Sequence, residues 1–241
     1  TFPKFADQIS TFMANTLMGT TDVVLDHQKK KELQRTYINP ELCDITEALV
    51  YTEPYNDERH RNNVFAPNAE FVRHALYEDE ALHAEVAKLK MDFMTRAQSL
   101  LHGDLHTGSI FINDTSMKVF DPEFCFYGPM GYDIGNVIGN FFFSLANKIF
   151  TMPEENDAID ALYRIIAETY DMTREKLLAK YDELVSFPLY KAEGFKKHYI
   201  DSVMADSVGY AGTEIIRRVV GDSKVMEVTS VTDLEKRIPM E

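Results

Sequence analysis

The sequence contains no tryptophan and only two cysteines, Cys43 and Cys125. Two thiols are too few for a disulfide framework or a structural zinc site, so a reducing cytoplasm is the expected compartment. Positive charge is also scarce: 25 Lys and Arg stand against 39 Asp and Glu, a formal net charge of -14. That balance argues against nucleic-acid binding, which needs clustered cations to neutralise phosphates. The N-terminus lacks the basic segment, short apolar stretch and small-residue cleavage site of a secretory signal. Nor is there an unbroken apolar run of membrane length. The most apolar stretch, 134–150, is interrupted by Asn136, Asn140, Asn147 and Lys148 and reads as a buried core helix. Internal repeats and low-complexity segments are absent too.

What is present is a chain of 241 residues, 45% hydrophobic, enough for a sizeable core in one large domain or two small ones. Phe5, Ile9, Phe12, Met13, Thr16 and Leu17 recur at helical spacing, and a charged, helix-favouring stretch follows to Tyr37 and the turn-like Asn39-Pro40. After a helix in the forties, residues 52–68 carry Pro54, Asn56, Asp57, Asn62, Asn63 and Pro67, which predicts a loop excursion. From Asp79 to Leu101 one apolar stripe, Leu82, Val86, Leu89, Phe93, Ala97 and Leu100, predicts a long helix ending before Gly103. Ile110 to Ile112 and Met117 to Phe120, joined by a polar turn, predict a β-hairpin and the one strand pair. Helical patterns return near 133–150, 155–170, 173–186, 193–220 and 232–238. The fold class expected is therefore mainly α with a short β-hairpin.

The densest chemical signal lies between the predicted helix and the hairpin: His102-Gly103-Asp104-Leu105-His106-Thr107-Gly108-Ser109, followed seventeen positions after Asp104 by Asp121-Pro122-Glu123. Phosphoryl transfer to an alcohol needs one carboxylate near the attacking hydroxyl and further acids to hold Mg2+ against the nucleotide phosphates. A loop, a hairpin and then acids can supply both. Asp104 would orient the hydroxyl or accept its proton, while Asp121 and Glu123, two apart at a strand end, would offer metal ligands. A competing metal-site reading notes that His102, Asp104 and His106 alternate; it would need further His and Asp clusters, which the sequence does not offer.

HGDLHTGSI followed by KVFDPEFCFYGPMGYDIG resembles the S-methyl-5-thioribose kinase family, within the aminoglycoside phosphotransferase and choline kinase-like superfamily. The resemblance extends through FPKFADQISTFMANTL, INPELCDITEALVYTEPY and GTEIIRRVVG, so it covers nearly the whole chain. It implies that residues 1–241 form the helical C-terminal lobe of a protein kinase-like fold. It further implies Asp104 as catalytic base, Asp121 and Glu123 as Mg2+ ligands, and Arg217 and Arg218 as cations facing substrate and phosphate. A helix-end charge pair is the plainer account of the two arginines. Ser109 stands where the wider superfamily carries Asn at the nucleotide-metal site; a hydroxyl is the poorer ligand, so Glu123 is expected to take over the second metal position. Asp133 resembles the acid that accepts backbone hydrogen bonds from the catalytic loop, and it also suits a helix N-cap. His102 is expected to brace the loop. Gly131, Gly135 and Gly139 are expected to permit close helix packing.

The activity implied is ATP- and Mg2+-dependent phosphorylation of the 1-hydroxyl of S-methyl-5-thioribose in methionine salvage, by a homodimer. A kinase of this type also needs a glycine-rich loop and a strand lysine over the phosphates. Apart from Gly19, no glycine precedes Gly103. The nucleotide-clamping β lobe is therefore expected outside this chain, with little turnover by the chain alone. Alternatives are a related kinase for an aminoglycoside, choline or another sugar, or a non-catalytic pseudokinase lobe.

Overall fold

Helix starts are written into the sequence as caps. In the computed structural model, which describes residues 3–241, Asp26 opens one helix by accepting from the Gln28 and Lys29 N–H groups, and Asp79 opens another by accepting from Leu82. Thr1 and Phe2, where the expected lobe begins, lie outside the described residues. The helices are α1 (Phe5–Met18), α2 (His27–Thr36), α3 (Pro40–Leu49), α4 (Glu53–Asn56), α5 (Ala69–Val72) and α6 (Glu80–Thr95). After four short strands, β1 (Ser99–Leu101), β2 (Ile110–Ile112), β3 (Met117–Val119) and β4 (Phe126–Gly128), come α7 (Gly131–Thr151), α8 (Asn156–Leu184), α9 (Glu193–Val219), α10 (Met226–Thr229) and α11 (Leu234–Met240). The fold is mainly helical with two small antiparallel pairs. No described helix is long and apolar enough to cross a membrane.

The core forms where α7 lies between α8 and α9 and α1 packs on α8. The α7–α9 contact is close because glycine removes the side chain: a Cβ at Gly135 would sit 2.5 Å from the Ser207 carbonyl oxygen, and one at Gly139 3.0 Å from that of Ala211. This packing fixes the register of α9 on α7, and with it the position of the C-terminal end of α9.

Two expectations need correction. The helix expected to run to Leu101 ends at Thr95, and Ser99–Leu101 is a strand paired with β4 in the register Ser99↔Gly128 and Leu101↔Phe126. So the 110–120 hairpin, paired Ile110↔Val119, is not the one strand pair. Ala97 and Leu100 continue the helical period only by coincidence; a short apolar run fits either geometry. The second correction joins 155–170 and 173–186 into the single helix α8. Thr169 and Thr173 are buried at the supposed break, and Thr173 returns its hydroxyl to the Thr169 carbonyl at 2.6 Å, so a polar pair continues the helix. The 52–68 excursion contains the short helix α4 and is tied down: Arg61 binds the buried Glu53 with two nitrogens, and Asn63 N donates to Val220 O.

Lys30 is a buried charge within this scaffold. Its ammonium donates to Thr20 O (3.0 Å) and Gln98 O (2.7 Å), lies 3.3 Å from Asp22 and sits over the Tyr127 ring. Burial outweighs the pull of Asp22 and lowers its pKa to about 8. Between that value and the ordinary lysine range the unfolded chain binds the extra proton. Stability is therefore expected to rise with pH over that window, by on the order of 2 kcal/mol from this group. Denaturant melts from pH 7.5 to 10 check it: Lys30→Met should remove the slope, and an equal slope in the variant would refute the assignment.

Candidate active site

The site is built on the loop that leaves β1. Strand pairing with β4 brings Leu101 to a buried position, and the chain then turns at Gly103, whose φ is +86°. Its Cβ would lie 2.1 Å from the Phe124 carbonyl oxygen, so both conformation and space demand glycine. Gly103→Ala is expected to cost about 2–3 kcal/mol from left-handed strain and displacement of Phe124. A thermal melt unchanged within a degree would contradict this.

The turn is held from two sides. Asp133, in the first turn of α7 and 2% exposed, accepts the backbone N–H of His102 (2.7 Å) and of Gly103 (3.0 Å). The helix N-cap position itself is Met130, so Asp133 acts on the loop rather than as the cap. His102 uses both ring nitrogens: Nε2 donates to Phe120 O (2.8 Å) and Nδ1 accepts from Asp104 N (3.3 Å). With both nitrogens engaged, its ring is a brace. It ties the loop to the residue just before Asp121, and Phe120 N donates in turn to Ser109 O (3.1 Å).

Asp104 projects toward the end of α9. Its Oδ1 lies 3.2 Å from the Arg217 terminal nitrogen and 3.8 Å from that of Arg218, and its Oδ2 is 3.4 Å from His106 Nε2. Burial alone would raise its pKa; the His106 hydrogen bond and the charges of Arg217, His106 and Arg218 outweigh it and bring it down to about 2. Asp104 is therefore ionised at neutral pH. Burial works against the Arg217 charge, but the negative charge around it, led by Glu214, holds its pKa above the ordinary arginine value. His106 accepts from Gly108 N through Nδ1 (3.0 Å), which leaves Nε2–H to face Asp104. Neither histidine presents a free ring nitrogen, and among the described residues no three His, Cys, Asp or Glu side chains cluster as a metal site. That removes the competing His102–Asp104–His106 metal reading.

Ser109, expected near the nucleotide metal, is turned inward. It is 4% exposed, and its hydroxyl lies within hydrogen-bond distance of His106 N (3.1 Å), Asp104 O (3.2 Å) and His106 O (2.8 Å). Here it closes the loop on itself. Asp121 and Glu123 are exposed on the segment after β3. Asp121 holds a φ of +65°, a left-handed conformation that aspartate tolerates better than most residues. Asn39 grips the same segment, donating to Glu123 O (2.9 Å) and Cys125 O (3.3 Å). These two carboxylates suit Mg2+, a hard cation that takes one or two protein acids, keeps water and is completed by substrate phosphates. The structure thus ties His102 and Asp133 to the backbone of the Asp104 turn and brings Arg217 and Arg218 to its carboxylate, while Asp121 and Glu123 are solvent-facing acids on the segment after the hairpin.

Sequence reasoning missed two participants. Glu214, 1% exposed, takes the Nε–H of Arg217 on one oxygen and of Arg218 on the other. Its signal was available: an acid three and four positions before a pair of arginines on a helix. His106 entered only as a member of the alternating metal pattern; here it faces the Asp104 carboxylate two residues away.

A carboxylate flanked by two half-buried guanidiniums on a mainly helical fold suits the handling of phosphates. The chain belongs to the phosphotransferase enzyme family, whose model matches residues 27–175, and its fold is that of the helical lobe of protein kinase-like enzymes. It is similar to methylthioribose kinases: 38% identical over 238 residues to that of Geobacillus sp. (strain WCH70), and 39% identical over 240 residues to that of Erwinia tasmaniensis. The methylthioribose kinase of Exiguobacterium sibiricum is 37% identical over 238 residues. The matches cover 98–99% of this chain but 58–59% of those proteins, so the chain spans somewhat under two thirds of their length.

Proposed function

We propose that this chain is the catalytic helical lobe of an ATP- and Mg2+-dependent kinase that phosphorylates the 1-hydroxyl of S-methyl-5-thioribose in methionine salvage. The observation that carries the reading is the ionised Asp104 bracketed by Arg217 and Arg218. In transfer of the γ-phosphoryl group, Asp104 orients the sugar hydroxyl and receives its proton as that oxygen bonds to the γ-phosphorus and the bond to the departing ADP oxygen breaks. The arginines would meet the charge that accumulates on the transferring group. Mg2+, held by Asp121 and Glu123, would neutralise the nucleotide phosphates. The names of the relatives support methylthioribose as the acceptor, and the loop around Asp104 supports transfer to an alcohol.

The reaction also needs a clamp over the nucleotide. We assign that role to a β-rich lobe outside these 241 residues, and we extend to the protein the homodimer expected from the family, which sedimentation would test. Steady-state phosphorylation by the full-length protein, with S-methyl-5-thioribose, ribose, choline and an aminoglycoside as acceptors, tests the function. The expected result is at least about 100-fold preference in kcat/KM for methylthioribose, within what hydrogen-bonded recognition achieves. Equal or better turnover of choline or an aminoglycoside would replace the acceptor. ATP binding without transfer to any acceptor would remove the enzyme reading.

A further inference from the structure

We propose that Glu214, steered by Asn140, is the positioning residue that aims both arginines at the transferring phosphoryl group. The inference rests on the kinase reading above and deepens it. A carboxylate and an arginine usually meet fork to fork, one carboxylate consuming two nitrogens of one guanidinium. Glu214 does otherwise: its two oxygens each take the Nε–H of a different arginine, Arg218 at 3.0 Å and Arg217 by a short contact. Binding by Nε leaves the terminal nitrogens of both side chains to reach Asp104. Asp104 hydrogen-bonds one terminal nitrogen of Arg217 (3.2 Å) and faces one of Arg218 at 3.8 Å, and among the described residues the other terminal nitrogen of each arginine makes no hydrogen bond. Two spare donors on adjacent guanidiniums match the equatorial oxygens of a phosphoryl group in flight.

The carboxylate is itself steered. Asn140 on α7 donates to Glu214 Oε1 (3.2 Å), and its carbonyl oxygen accepts from the Thr107 hydroxyl (3.4 Å) in the catalytic loop. Thr107, Asn140, Glu214, the two arginines and Asp104 therefore close a ring through three elements: the loop, α7 and α9. The ring couples the aim of the arginines to the placement of Asp104. Glu214 and Asp104 balance Arg217 and Arg218 in charge, so neither arginine is drawn fully onto Asp104. A buried carboxylate holding two guanidiniums is a poor device for stability alone, since ion pairs lose much of their attraction to desolvation.

The test uses the full-length protein with Glu214→Gln, Asn140→Ala and the double variant. kcat and KM are measured with ATP and S-methyl-5-thioribose and normalised to folded protein by circular dichroism. Expected is a fall in kcat of about 100-fold for Glu214→Gln and about 10-fold for Asn140→Ala, with acceptor KM changed less than about threefold. Because one residue acts through the other, the double variant should be no slower than Glu214→Gln. Strictly additive effects, or kcat within twofold of wild type in either variant, would overturn the proposal. So would losses explained wholly by a smaller folded fraction. If Glu214→Gln does not fold, Asn140→Ala alone decides, since it removes no charged group.

A second measurement is independent of activity. Nitrogen-15 spectra of the arginine side chains should show exchange-protected Nε–H signals for Arg217 and Arg218 that lose protection in Asn140→Ala. Wild-type protein that fails to phosphorylate methylthioribose yet shows this pattern would sink the substrate reading and leave the clamp standing. Unprotected signals in the wild type would sink the clamp.

Discussion

Asp104→Asn is expected to lower kcat by about 10³-fold in the full-length protein, within the usual range for a lost general base. The side chain keeps its size, but the amide can neither receive the acceptor proton nor balance the charge of Arg217 and Arg218. The wild-type carboxyl, at about 2, is a weak base in the ground state. Its contribution is to hold the acceptor hydroxyl by a charged hydrogen bond and take the proton only as the O–P bond forms, as suits a loose transition state. The substitution should therefore strike kcat far more than the KM for ATP. Stability carries a second signature. A carboxyl depressed from 3.8 stabilises the fold above its unfolded pKa and loses that effect as pH falls through about 2. Asp104→Asn should remove this contribution, on the order of 2 kcal/mol at neutral pH. Chemical denaturation at pH 7 measures the stability and steady-state kinetics the rate. A kcat within tenfold of wild type would withdraw Asp104 from the chemistry.

The parts of the molecule legible in the sequence were those whose signal is local. The α1 stripe, the 110–119 hairpin and the His102–Asp104 loop each announce themselves within about ten residues, through periodicity, turn chemistry or the clustering of reactive side chains. Strand β1 was hidden because its partner, β4, lies beyond the hairpin, and Ser99–Leu101 alone is too short to separate strand from helix. The patterns at 155–170 and 173–186 were read as two helices, while the buried Thr169 and Thr173 and the hydroxyl return between them carry one helix through the gap. In the site, family resemblance pointed to Arg217 and Arg218, and their link to Asp104 is a contact across 113 positions that no local pattern encodes. Ser109 shows the opposite limit: its residue type fits a ligand, and only coordinates reveal that the hydroxyl is spent inside the loop.

Asp133→Asn should be the most damaging substitution to the scaffold, because the variant is nearly isosteric and fails for a reason of hydrogen bonding alone. In the wild type both carboxylate oxygens accept, one from His102 N and one from Gly103 N, at a site where burial pushes the carboxyl pKa up and those two bonds pull against it. Asparagine has one acceptor and one donor there. Whichever way the amide is turned, its NH2 meets a backbone N–H, and one buried donor loses its partner. Loss of a charge-assisted bond together with an unsatisfied donor costs about 3–4 kcal/mol. For a chain of this size that corresponds to a fall in Tm of roughly 10 °C. The damage is not confined to stability, since the two N–H groups belong to the residues immediately before Asp104. Freed of Asp133, the turn at Gly103 loses its fixed direction, and Asp104 moves relative to Arg217 and Arg218. In the full-length protein, kcat per folded molecule should fall about 100-fold, the penalty for a reacting group misplaced by an ångström. Differential scanning calorimetry and kinetics below the new Tm separate the two effects. A melt within 2 °C of wild type would mean that the loop finds other acceptors, whereas a lowered Tm with full kcat would make Asp133 a support of the fold that the site does not need.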